Sequence, residues 1–300
     1  MNLGFDDRDG LIWWNGSFVD WRDANVHVLN QGLHYASSVF EGERAYQGRI
    51  FRSIDHSRRL LHSAKRLDMD VSFSLDDIES AKQEILARSG LSEAYIRPVV
   101  FRGSGQMGIS VAGADVHFAI AVWHWENLFE NRSNGVRLTI SSWRRPPTLC
   151  APADAKAAGL YMICTLAKNA AEAKGFDDAL MLDVDGNIAE ATGANIFFVR
   201  DGELHTPRPD CFLNGITRQT IIELAKGLGL EVVERSIHPD ELSSFTECFV
   251  TGSAAEVTPV QSIAQFRYKI GDVTTSLMEA YGSVVTMTSP NLSIAKLLPN

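Results

Sequence analysis

Strand-like apolar segments alternate with amphipathic helical segments along nearly the whole 300-residue sequence. Ala94–Phe101 and Val116–Trp125 are apolar runs of strand length, whereas residues 74–90 carry apolar side chains at helical spacing. Helices that follow strands in this way cover the faces of a sheet, so the alternation predicts a mixed α/β protein. With 45% hydrophobic and 22% charged residues, the composition is that of a folded chain rather than a disordered one.

A polar segment, ENLFENRSNG at 126–135, interrupts the alternation and is rich in Asn and Glu. Polar clusters between periodic segments are typical of linkers. The chain is long enough for two domains of ordinary size. We therefore predict an N-terminal small α/β domain at 1–127, an interdomain linker at 128–135 and a larger C-terminal domain at 136–300.

Turn residues and helix caps predict several local elements. Asn15-Gly16 lies between two short apolar segments and predicts a tight hairpin. Ser74 and Gly90 are expected to begin and end a helix. Ala179–Val184 is expected to be a strand that turns and returns as Asn195–Arg200.

The charge balance argues against nucleic-acid and membrane partners. The chain has 28 Lys and Arg against 37 Asp and Glu, a net charge of -9, whereas nucleic-acid-binding proteins present a basic surface. The segment MNLGFDDRDG has acids where a signal peptide has bases, and no apolar run reaches the about 20 residues of a membrane span. The cysteines lie far apart without a C-x-x-C pair, which favours neither a metal site nor a disulfide framework. We expect a cytoplasmic protein.

Gly103–Gly108 matches the G-x-G-x-x-G pattern of dinucleotide-binding proteins and follows a strand-like segment. That fingerprint requires a helix directly after the glycines, because the helix N-terminus meets the pyrophosphate. Only Ile109–Asp115 separates the glycines from the next strand-like segment, which is too short for a crossover helix. The segment is therefore predicted to be a loop between strands, and nicotinamide binding is not expected.

Lys156 lies among small residues, in Ala153-Asp154-Ala155-Lys156-Ala157-Ala158-Gly159. A lysine in such surroundings can lose its charge by desolvation and act as an amine nucleophile or form a Schiff base. A lysine that leaves a loop to cap a helix would have the same context. The local sequence by itself leaves both interpretations open.

Two further segments, Asn214–Arg218 and Thr251–Ala255, have the composition of anion-binding turns. The first opens an amphipathic helix, whose free N–H groups attract negative charge. The second follows a strand and contains only small residues, which allow close approach of the backbone. An ordinary helix cap and a tight turn would explain them equally. Glu190 also lies among small residues, and since an unpaired buried carboxylate is costly, it is either exposed or faces a cation.

Several separated motifs resemble those of the fold-type IV pyridoxal-phosphate aminotransferases, most closely the branched-chain amino-acid aminotransferases. The resemblance extends from about Ile12 to Val285, nearly the whole chain. It implies a smaller N-terminal α/β sandwich domain and a larger C-terminal α/β barrel-like domain. The motifs are W-x-N-G near Trp13, H-Y-x-x-S-V-F-E-G at His34–Gly42, A-Y-I-R-P at Ala94–Pro98, A-K-A-x-G at Ala155–Gly159, G-I-T-R at Gly215–Arg218 and G-S-A-A-E-V-T-P-V at Gly252–Val260.

The resemblance implies pyridoxal 5′-phosphate as the cofactor. Lys156 resembles the lysine that forms its Schiff base, Glu190 the acid that keeps its pyridine nitrogen protonated, and Tyr161 the group that holds its phenolic oxygen. Arg59 resembles the phosphate-binding arginine, and its neighbour Arg58 is the residue most easily confused with it. The further phosphate contacts implied by the resemblance are Ile216, Thr217 and Ser253.

The resemblance also implies how substrates are recognised. Tyr95 and Arg97 are two positions apart in a strand, so both side chains face the same side. In the family this pair, with the turn at Ser253-Ala254, recognises substrate carboxylates. The apolar pocket of the family corresponds to Tyr35, Phe40 and Trp125.

The implied reaction moves an amino group from L-leucine, L-isoleucine or L-valine to 2-oxoglutarate, which gives the 2-oxo acid and L-glutamate. The implied partners are thus small amino acids and 2-oxo acids, together with further copies of the chain in a dimer or a dimer-based oligomer. Core packing would explain Phe40 and Trp125 equally well.

Two departures from the family pattern keep alternatives open. Leu128 stands where bacterial members often have a tyrosine, and Gly193-Ala194-Asn195 lacks the acid of the family's G-E-N turn. An (R)-selective amine transaminase and a D-amino-acid aminotransferase of the same fold are therefore alternatives, as is a lyase that makes aminobenzoate. A non-catalytic binder of phosphate ligands is disfavoured because Lys156 is present.

Overall fold

The computed structural model describes residues 4–125, 128–129 and 134–287, and these residues form two compact units. The first unit contains residues 4–125 together with Ala155–Gly159, and the second contains the other described residues. Residues 130–133 of the predicted linker lie outside the described part of the chain. The segment that carries Lys156 thus belongs to the first unit, although its neighbours in sequence belong to the second.

A seven-stranded antiparallel sheet with helices packed against it forms the first unit. Its strands are β1 (Leu11–Trp14), β2 (Ser17–Asp20), β3 (Ser38–Phe40), β4 (Glu43–Tyr46), β5 (Arg49–Ile50), β6 (Ala94–Arg102) and β7 (Val116–His124). Its helices are α1 (Gln31–His34), α2 (Ser53–Arg66) and α3 (Leu75–Ser89), with a 3-10 turn at Trp21–Asp23. The strand order is β2-β1-β7-β6-β4-β5, and β3 also pairs with β6.

The local predictions for this unit are confirmed. β1 and β2 form the hairpin at Asn15-Gly16, where both turn residues have positive φ. Ser74 caps α3 by accepting a hydrogen bond from the backbone of Asp77, and Gly90 ends the helix in the left-handed conformation that glycine adopts without strain. Because β6 and β7 pair antiparallel along their whole length, Gly103–Gly108 lies in the loop that joins them, and no helix follows these glycines.

A nine-stranded mixed sheet forms the second unit. Its strands are β8 (Val136–Arg144), β9 (Asp178–Leu182), β10 (Ile188–Ala191), β11 (Asn195–Arg200), β12 (Glu203–Pro207), β13 (Val232–Arg235), β14 (Glu247–Gly252), β15 (Glu256–Ile263) and β16 (Phe266–Arg267). Its helices are α4 (Met162–Glu172), α5 (Ile216–Gly227) and α6 (Asp272–Thr286), with a 3-10 turn at Pro239–Ser244. A further 3-10 turn, Ala158–Tyr161, begins in the first unit and ends in the second. The order is β10-β9-β8-β15-β14-β11-β12-β13, and β16 pairs with β15.

The two ends of this strand order are joined by a hydrogen bond. The backbone N–H of Ile188, in β10, donates to the carbonyl of Ile237, just after β13, at 2.8 Å. Apolar side chains such as Leu138 and Phe198 are fully buried in the core of the sheet. The second unit is therefore barrel-like, as the resemblance implies.

The predicted return strand in this unit is wrong. β9 turns after Leu182 and pairs with β10, whereas β11 pairs with β12 and β14. Both β10 and β11 are of strand length and mainly apolar, so hydrophobic periodicity identifies them as strands without saying which one pairs with β9. None of the helices within the described residues combines the length and the apolar character needed to span a bilayer.

Lys82 of α3 is fully buried in an ion cluster. Its Nζ lies 2.9 Å from Glu43 Oε2 and 2.8 Å from Glu79 Oε1, and it donates to the carbonyl of Ser53 at 3.0 Å. Burial raises the pKa of Glu43 to about 7, although Lys82 acts in the opposite direction. The cluster thus depends on Lys82 for compensation of a buried carboxylate.

We expect Lys82→Met to lower the free energy of unfolding by about 3–5 kcal/mol at pH 8, because it leaves a buried charge without its partner. The loss should be smaller at pH 5. Since the folded pKa of Glu43 lies above its ordinary value of 4.5, its burial costs least at low pH and most above about pH 7. Urea unfolding measures both values. The double variant Glu43→Met with Lys82→Met should recover most of the loss at pH 8, and a double variant as unstable as the single one would contradict this account.

Candidate active site

The residues that the sequence predicts for the site are distributed over both units. Those in the first unit are Tyr35, Phe40, Arg59, Tyr95, Arg97, Trp125 and Lys156. Those in the second unit are Tyr161, Glu190, Ile216, Thr217, Ser253 and Ala254.

Lys156 is held at its backbone by two elements of the first unit. Its carbonyl accepts a hydrogen bond from the N–H of Phe40 at 3.1 Å, and its own N–H donates to Ser63 Oγ of α2 at 2.9 Å. The next residue, Ala157, forms an antiparallel bridge with Val39 of β3. Lys156 therefore lies on an extended segment paired with a strand, and the interpretation as a helix cap does not apply.

Two cationic groups lie near the ring of Phe40. Lys156 Nζ lies 5.0 Å from the centroid of this ring, and the guanidinium carbon of Arg97 lies 4.8 Å from it. Arg97 also donates to the Tyr95 hydroxyl at 3.1 Å, which confirms that these two side chains face the same side of β6. Arg97 Nε is buried and has no hydrogen-bond partner among the described residues. One N–H of the guanidinium thus lacks an acceptor within the described part of the chain.

Further aromatic rings pack beside Arg97, whose guanidinium carbon lies 5.3 Å from the centroid of the Tyr95 ring. Tyr95 is buried, and its ring lies 4.6 Å from that of Trp125 and 4.9 Å from that of Trp123. A Cβ atom at Gly42 would lie 1.9 Å from the Tyr95 hydroxyl, so only glycine fits there. Tyr35, in contrast, is 45% exposed, and its ring is tilted at 50° to that of His34 with the centroids 6.3 Å apart. Phe40, Tyr95, Arg97 and Trp125 are thus brought together, whereas Tyr35 is not packed among them.

Arg59 and Arg58 differ in their surroundings. Arg58 is exposed, whereas Arg59 is largely buried and forms two hydrogen bonds of 2.7 Å with the carboxylate of Glu41. Glu41 also accepts a hydrogen bond of 2.7 Å from His56 Nδ1. Of the two neighbouring arginines, Arg59 is therefore the one with a fixed orientation.

Glu190 lies in β10 of the second unit and is buried. A β-bulge between Ile188 and Glu190 shifts the pairing with β9, and bulges re-aim the side chains next to them. Asn195 Nδ2 donates to Glu190 Oε2 at 3.0 Å, and Arg145 Nε lies 3.5 Å from Oε1. The sequence predicts that Glu190 is either exposed or faces a cation. In the structure its carboxylate is buried and faces the Arg145 guanidinium.

Arg145 is itself almost fully buried. Burial alone would lower its pKa, but the carboxylate of Glu190 raises the pKa above the ordinary value. The guanidinium also contacts Cys164 Sγ at 3.2 Å, in the first turns of α4, the helix that Tyr161 precedes. An always-charged group therefore stands beside Glu190 and favours its ionised form.

The first predicted anion-binding turn lies at the start of α5. α5 begins after Gly215 without a side-chain cap, with Ile216 and Thr217 in its first turn. A Cβ atom at Gly215 would lie 2.2 Å from Asn195 Oδ1, which accepts a hydrogen bond from the Gly215 N–H. Asn195 thus links the start of α5 to Glu190.

The second turn, Ser253-Ala254-Ala255, joins β14 to β15. Thr251 lies two residues before Ser253, and its hydroxyl is buried and has no hydrogen-bond partner among the described residues. A Cβ atom at Gly252 would meet nothing closer than the Gly193 carbonyl at 3.6 Å. Gly252 thus lies within van der Waals distance of Ala194, one of the two departures from the family pattern, whereas the other, Leu128, is exposed.

The sequence matches the family described as Amino-transferase class IV over residues 38–263. The branched-chain-amino-acid aminotransferase of Pseudomonas aeruginosa is 42% identical over 293 residues, which cover 95% of this chain and 95% of that protein. The crystal structure of the branched-chain aminotransferase from Thermoproteus uzoniensis with norvaline is similar with a TM-score of 0.91 at 37% identity, covering 95% of this chain and 97% of that one. The T.th. branched-chain amino acid aminotransferase complexed with N-(5′-phosphopyridoxyl)-L-glutamate gives a TM-score of 0.89 at 40% identity with the same coverage.

The chain belongs to the class IV amino-transferase family. It is accordingly a transaminase with the mixed α/β fold of that family, and its cofactor is pyridoxal 5′-phosphate.

The described residues fit this cofactor. A pyridine nitrogen needs a buried acid in its charged form, and Glu190 has both a cation and an amide that favour this form. A phosphate needs several donors, and the first turn of α5 has N–H groups without a side-chain cap. The buried hydroxyl of Thr251 supplies a further polar atom that lacks a partner among the described residues.

Sequence reasoning missed three residues around the site: Arg145, Asn195 and Glu41. Arg145 follows another arginine at the end of a strand-like segment, and nothing in that pattern points to Glu190. In the sequence, Asn195 stands out only as part of a turn that differs from the family pattern. Arg145 lies 45 residues before Glu190 in the chain, and even the nearer pairs, Asn195 with Glu190 and Glu41 with Arg59, are identified only when the chain is folded.

Proposed function

We propose that this protein is a branched-chain amino-acid aminotransferase that uses L-leucine, L-isoleucine or L-valine as amino donors and 2-oxoglutarate as acceptor. The observation that carries the proposal is the position of Lys156 Nζ and the Arg97 guanidinium over the same Phe40 ring. This arrangement combines a reactive amine, one cation for a second carboxylate and an apolar wall for an aliphatic side chain. The names of the relatives, and the glutamate adduct in the T.th. enzyme, support the same substrates.

Pyridoxal 5′-phosphate supplies an electron-accepting ring when it is bound. Lys156 Nζ is the amine that would hold the cofactor, and it would carry the proton from the substrate Cα. The hydrogen bonds to Phe40 and Ser63 hold the backbone of Lys156, so that only the side chain has to move. We assign Lys156 as the catalytic residue on this basis.

Glu190 holds the proton on the pyridine nitrogen. For this role it must be a carboxylate, and burial alone would favour the protonated form. Arg145 at 3.5 Å and the Asn195 amide at 3.0 Å both favour the carboxylate. We assign Tyr161 to the phenolic oxygen of the cofactor.

Arg59, with Ser253 and the N–H groups of Ile216 and Thr217, binds the phosphate in this proposal. An uncapped helix N-terminus and a planar guanidinium are both suited to phosphate oxygens. Tyr95, Arg97 and the turn at Ser253-Ala254 bind substrate carboxylates in this proposal, and Phe40 and Trp125 line the pocket for the side chain. Tyr35 is assigned to the same pocket by the resemblance alone, since it is exposed in the single chain.

A panel of amino donors with 2-oxoglutarate as acceptor tests the substrate assignment. The panel contains L-leucine, L-isoleucine, L-valine, their D-enantiomers and an (R)-arylalkylamine, and kcat/KM is measured for each. We expect the three L-amino acids to exceed all other donors. Preference for a D-amino acid or for the (R)-amine would replace this proposal with the D-amino-acid aminotransferase or the amine transaminase.

We expect Arg97→Ala to weaken the use of glutamate much more than the use of leucine. A lost charge-assisted hydrogen bond is worth about 1.5–3 kcal/mol, or roughly ten- to a hundredfold in specificity. Leucine makes no such contact through its side chain, so the ratio of the two half-reaction rates in single turnover isolates the effect. Arg88→Ala, which removes an exposed arginine of the same unit, is the control. An unchanged ratio in Arg97→Ala would show that Arg97 does not contact the distal carboxylate.

We further propose that the protein acts in the cytoplasm as a homo-oligomer, a dimer or an assembly of dimers. Large apolar side chains that are strongly exposed in the single chain support the homo-oligomer, among them Ile109 at 88% and Leu149 at 98%. Sedimentation at micromolar concentration tests the oligomeric state, and a monomer would contradict the proposed homo-oligomer.

A further inference from the structure

A buried carboxylate, Glu41, binds the guanidinium of Arg59 along one edge. Glu41 is 0% exposed, and its two oxygens accept hydrogen bonds of 2.7 Å from Arg59 Nε and Nη2. His56 Nδ1, one turn earlier in α2, lies 2.7 Å from the second oxygen. The pair therefore uses the Nε and Nη2 side of the guanidinium, and Nη1 lies outside it.

Burial and the neighbouring charges determine which groups of the Glu41, His56 and Arg59 cluster are ionised. Burial would raise the pKa of Glu41, but the Arg59 guanidinium and the His56 ring hold the pKa well below its usual range. Burial lowers the pKa of His56 to about 4, although Glu41 acts in the opposite direction. At neutral pH the cluster thus contains one carboxylate, one guanidinium and a neutral imidazole that donates its Nδ1 proton to the carboxylate.

We propose that Glu41 is a positioning residue for the phosphate of the cofactor, because it holds the Arg59 guanidinium in the orientation in which it meets that phosphate. The inference rests on the proposed role of Arg59 in phosphate binding. An arginine side chain loses much rotamer freedom when it binds a ligand, and a bidentate pair that is already formed removes this loss. His56 holds Glu41 in turn, since its hydrogen bond restrains the second carboxylate oxygen.

Glu43 provides a matched control two residues away. It is also 0% exposed and also forms a buried ion pair, but its partner is Lys82 rather than Arg59. Loss of the Glu43 carboxylate therefore reproduces the cost of removing a buried acid from this part of the unit without touching Arg59.

The experiment compares two ligands that differ only in the phosphate. Dissociation constants of pyridoxal 5′-phosphate and of pyridoxal are measured on the apo-proteins by absorbance titration, for the parent, Glu41→Gln, Arg59→Gln, the double variant and Glu43→Gln. We expect Glu41→Gln to weaken pyridoxal phosphate about tenfold or more while pyridoxal is unchanged. The double variant should be no weaker than Arg59→Gln alone, and Glu43→Gln should keep the parent ratio of the two constants.

The outcomes separate this inference from the proposal on which it rests. If Arg59→Gln leaves the ratio unchanged, the phosphate role of Arg59 is wrong. If Arg59→Gln lowers the preference for the phosphorylated ligand but Glu41→Gln does not, or if Glu41→Gln tightens phosphate binding, Glu41 has no positioning role. Equal weakening of both ligands would show a purely structural role. If Glu41→Gln does not fold, Glu41→Asp, which keeps the charge but shortens the reach, gives the same comparison with the same outcomes.

Discussion

Lys156→Ala is expected to lower transamination of leucine by about 10⁴-fold or more while the fold is kept. The substitution removes both the amine that binds the cofactor aldehyde and the base that moves the Cα proton, and proton transfer alone accounts for about 10²–10⁴-fold. Its backbone contacts to Phe40 and Ser63 do not involve the side chain, so the local structure should persist. The measurement is the leucine half-reaction in single turnover, together with the unfolding temperature.

Chemical labelling gives an independent check of the same assignment. Borohydride reduction of the holoenzyme followed by peptide mapping should place the cofactor on Lys156. Lys174→Ala removes an exposed lysine and should react as the parent does. A label on Lys168 or Lys174 would show that the assignment of Lys156 is wrong.

Glu190→Gln is expected to keep the cofactor bound and to slow the half-reactions by roughly 10²–10³-fold, the size of effect seen when one preorganised electrostatic group is removed. A neutral amide cannot hold the pyridine nitrogen protonated, and Arg145 would then stand beside it without a counter-charge. Absorbance of the bound cofactor verifies occupancy, and single-turnover rates measure the effect. Glu172→Gln, at an exposed acid of α4, is the matched control. Turnover at the parent rate would mean that Glu190 serves only to compensate Arg145.

Local elements and family membership were accessible from the amino-acid sequence. Asn15-Gly16 specifies its hairpin because positive φ at both turn residues suits these residue types, and Ser74 and Gly90 specify the ends of α3 because their capping bonds are local. The separated motifs likewise indicated the class IV aminotransferase fold, which the comparisons confirm. The roles of the individual site residues stay predictions until the variants are measured.

Pairings over long sequence distance were not accessible in this way. β9 pairs with β8 on one side and with β10 on the other, whereas β11 pairs with β14. Hydrophobic periodicity identifies the strands but carries no information on which of them are neighbours. The partners of Glu190 show the same limit. The sequence required a cation or exposure for this acid, and only the fold identifies the cation as Arg145.

The sequence by itself determined the residue types that the chemistry needs: an amine at Lys156, an acid at Glu190 and an arginine in the 58–59 pair. Only the tertiary structure decided how each is held. Arg59 is hydrogen-bonded to Glu41, and Glu190 is flanked by Arg145 and Asn195, because burial makes an unpaired charge costly. The fold brings these partners from another element of the chain, as Glu41 to Arg59 and Arg145 to Glu190, or from across a turn, as Asn195 to Glu190.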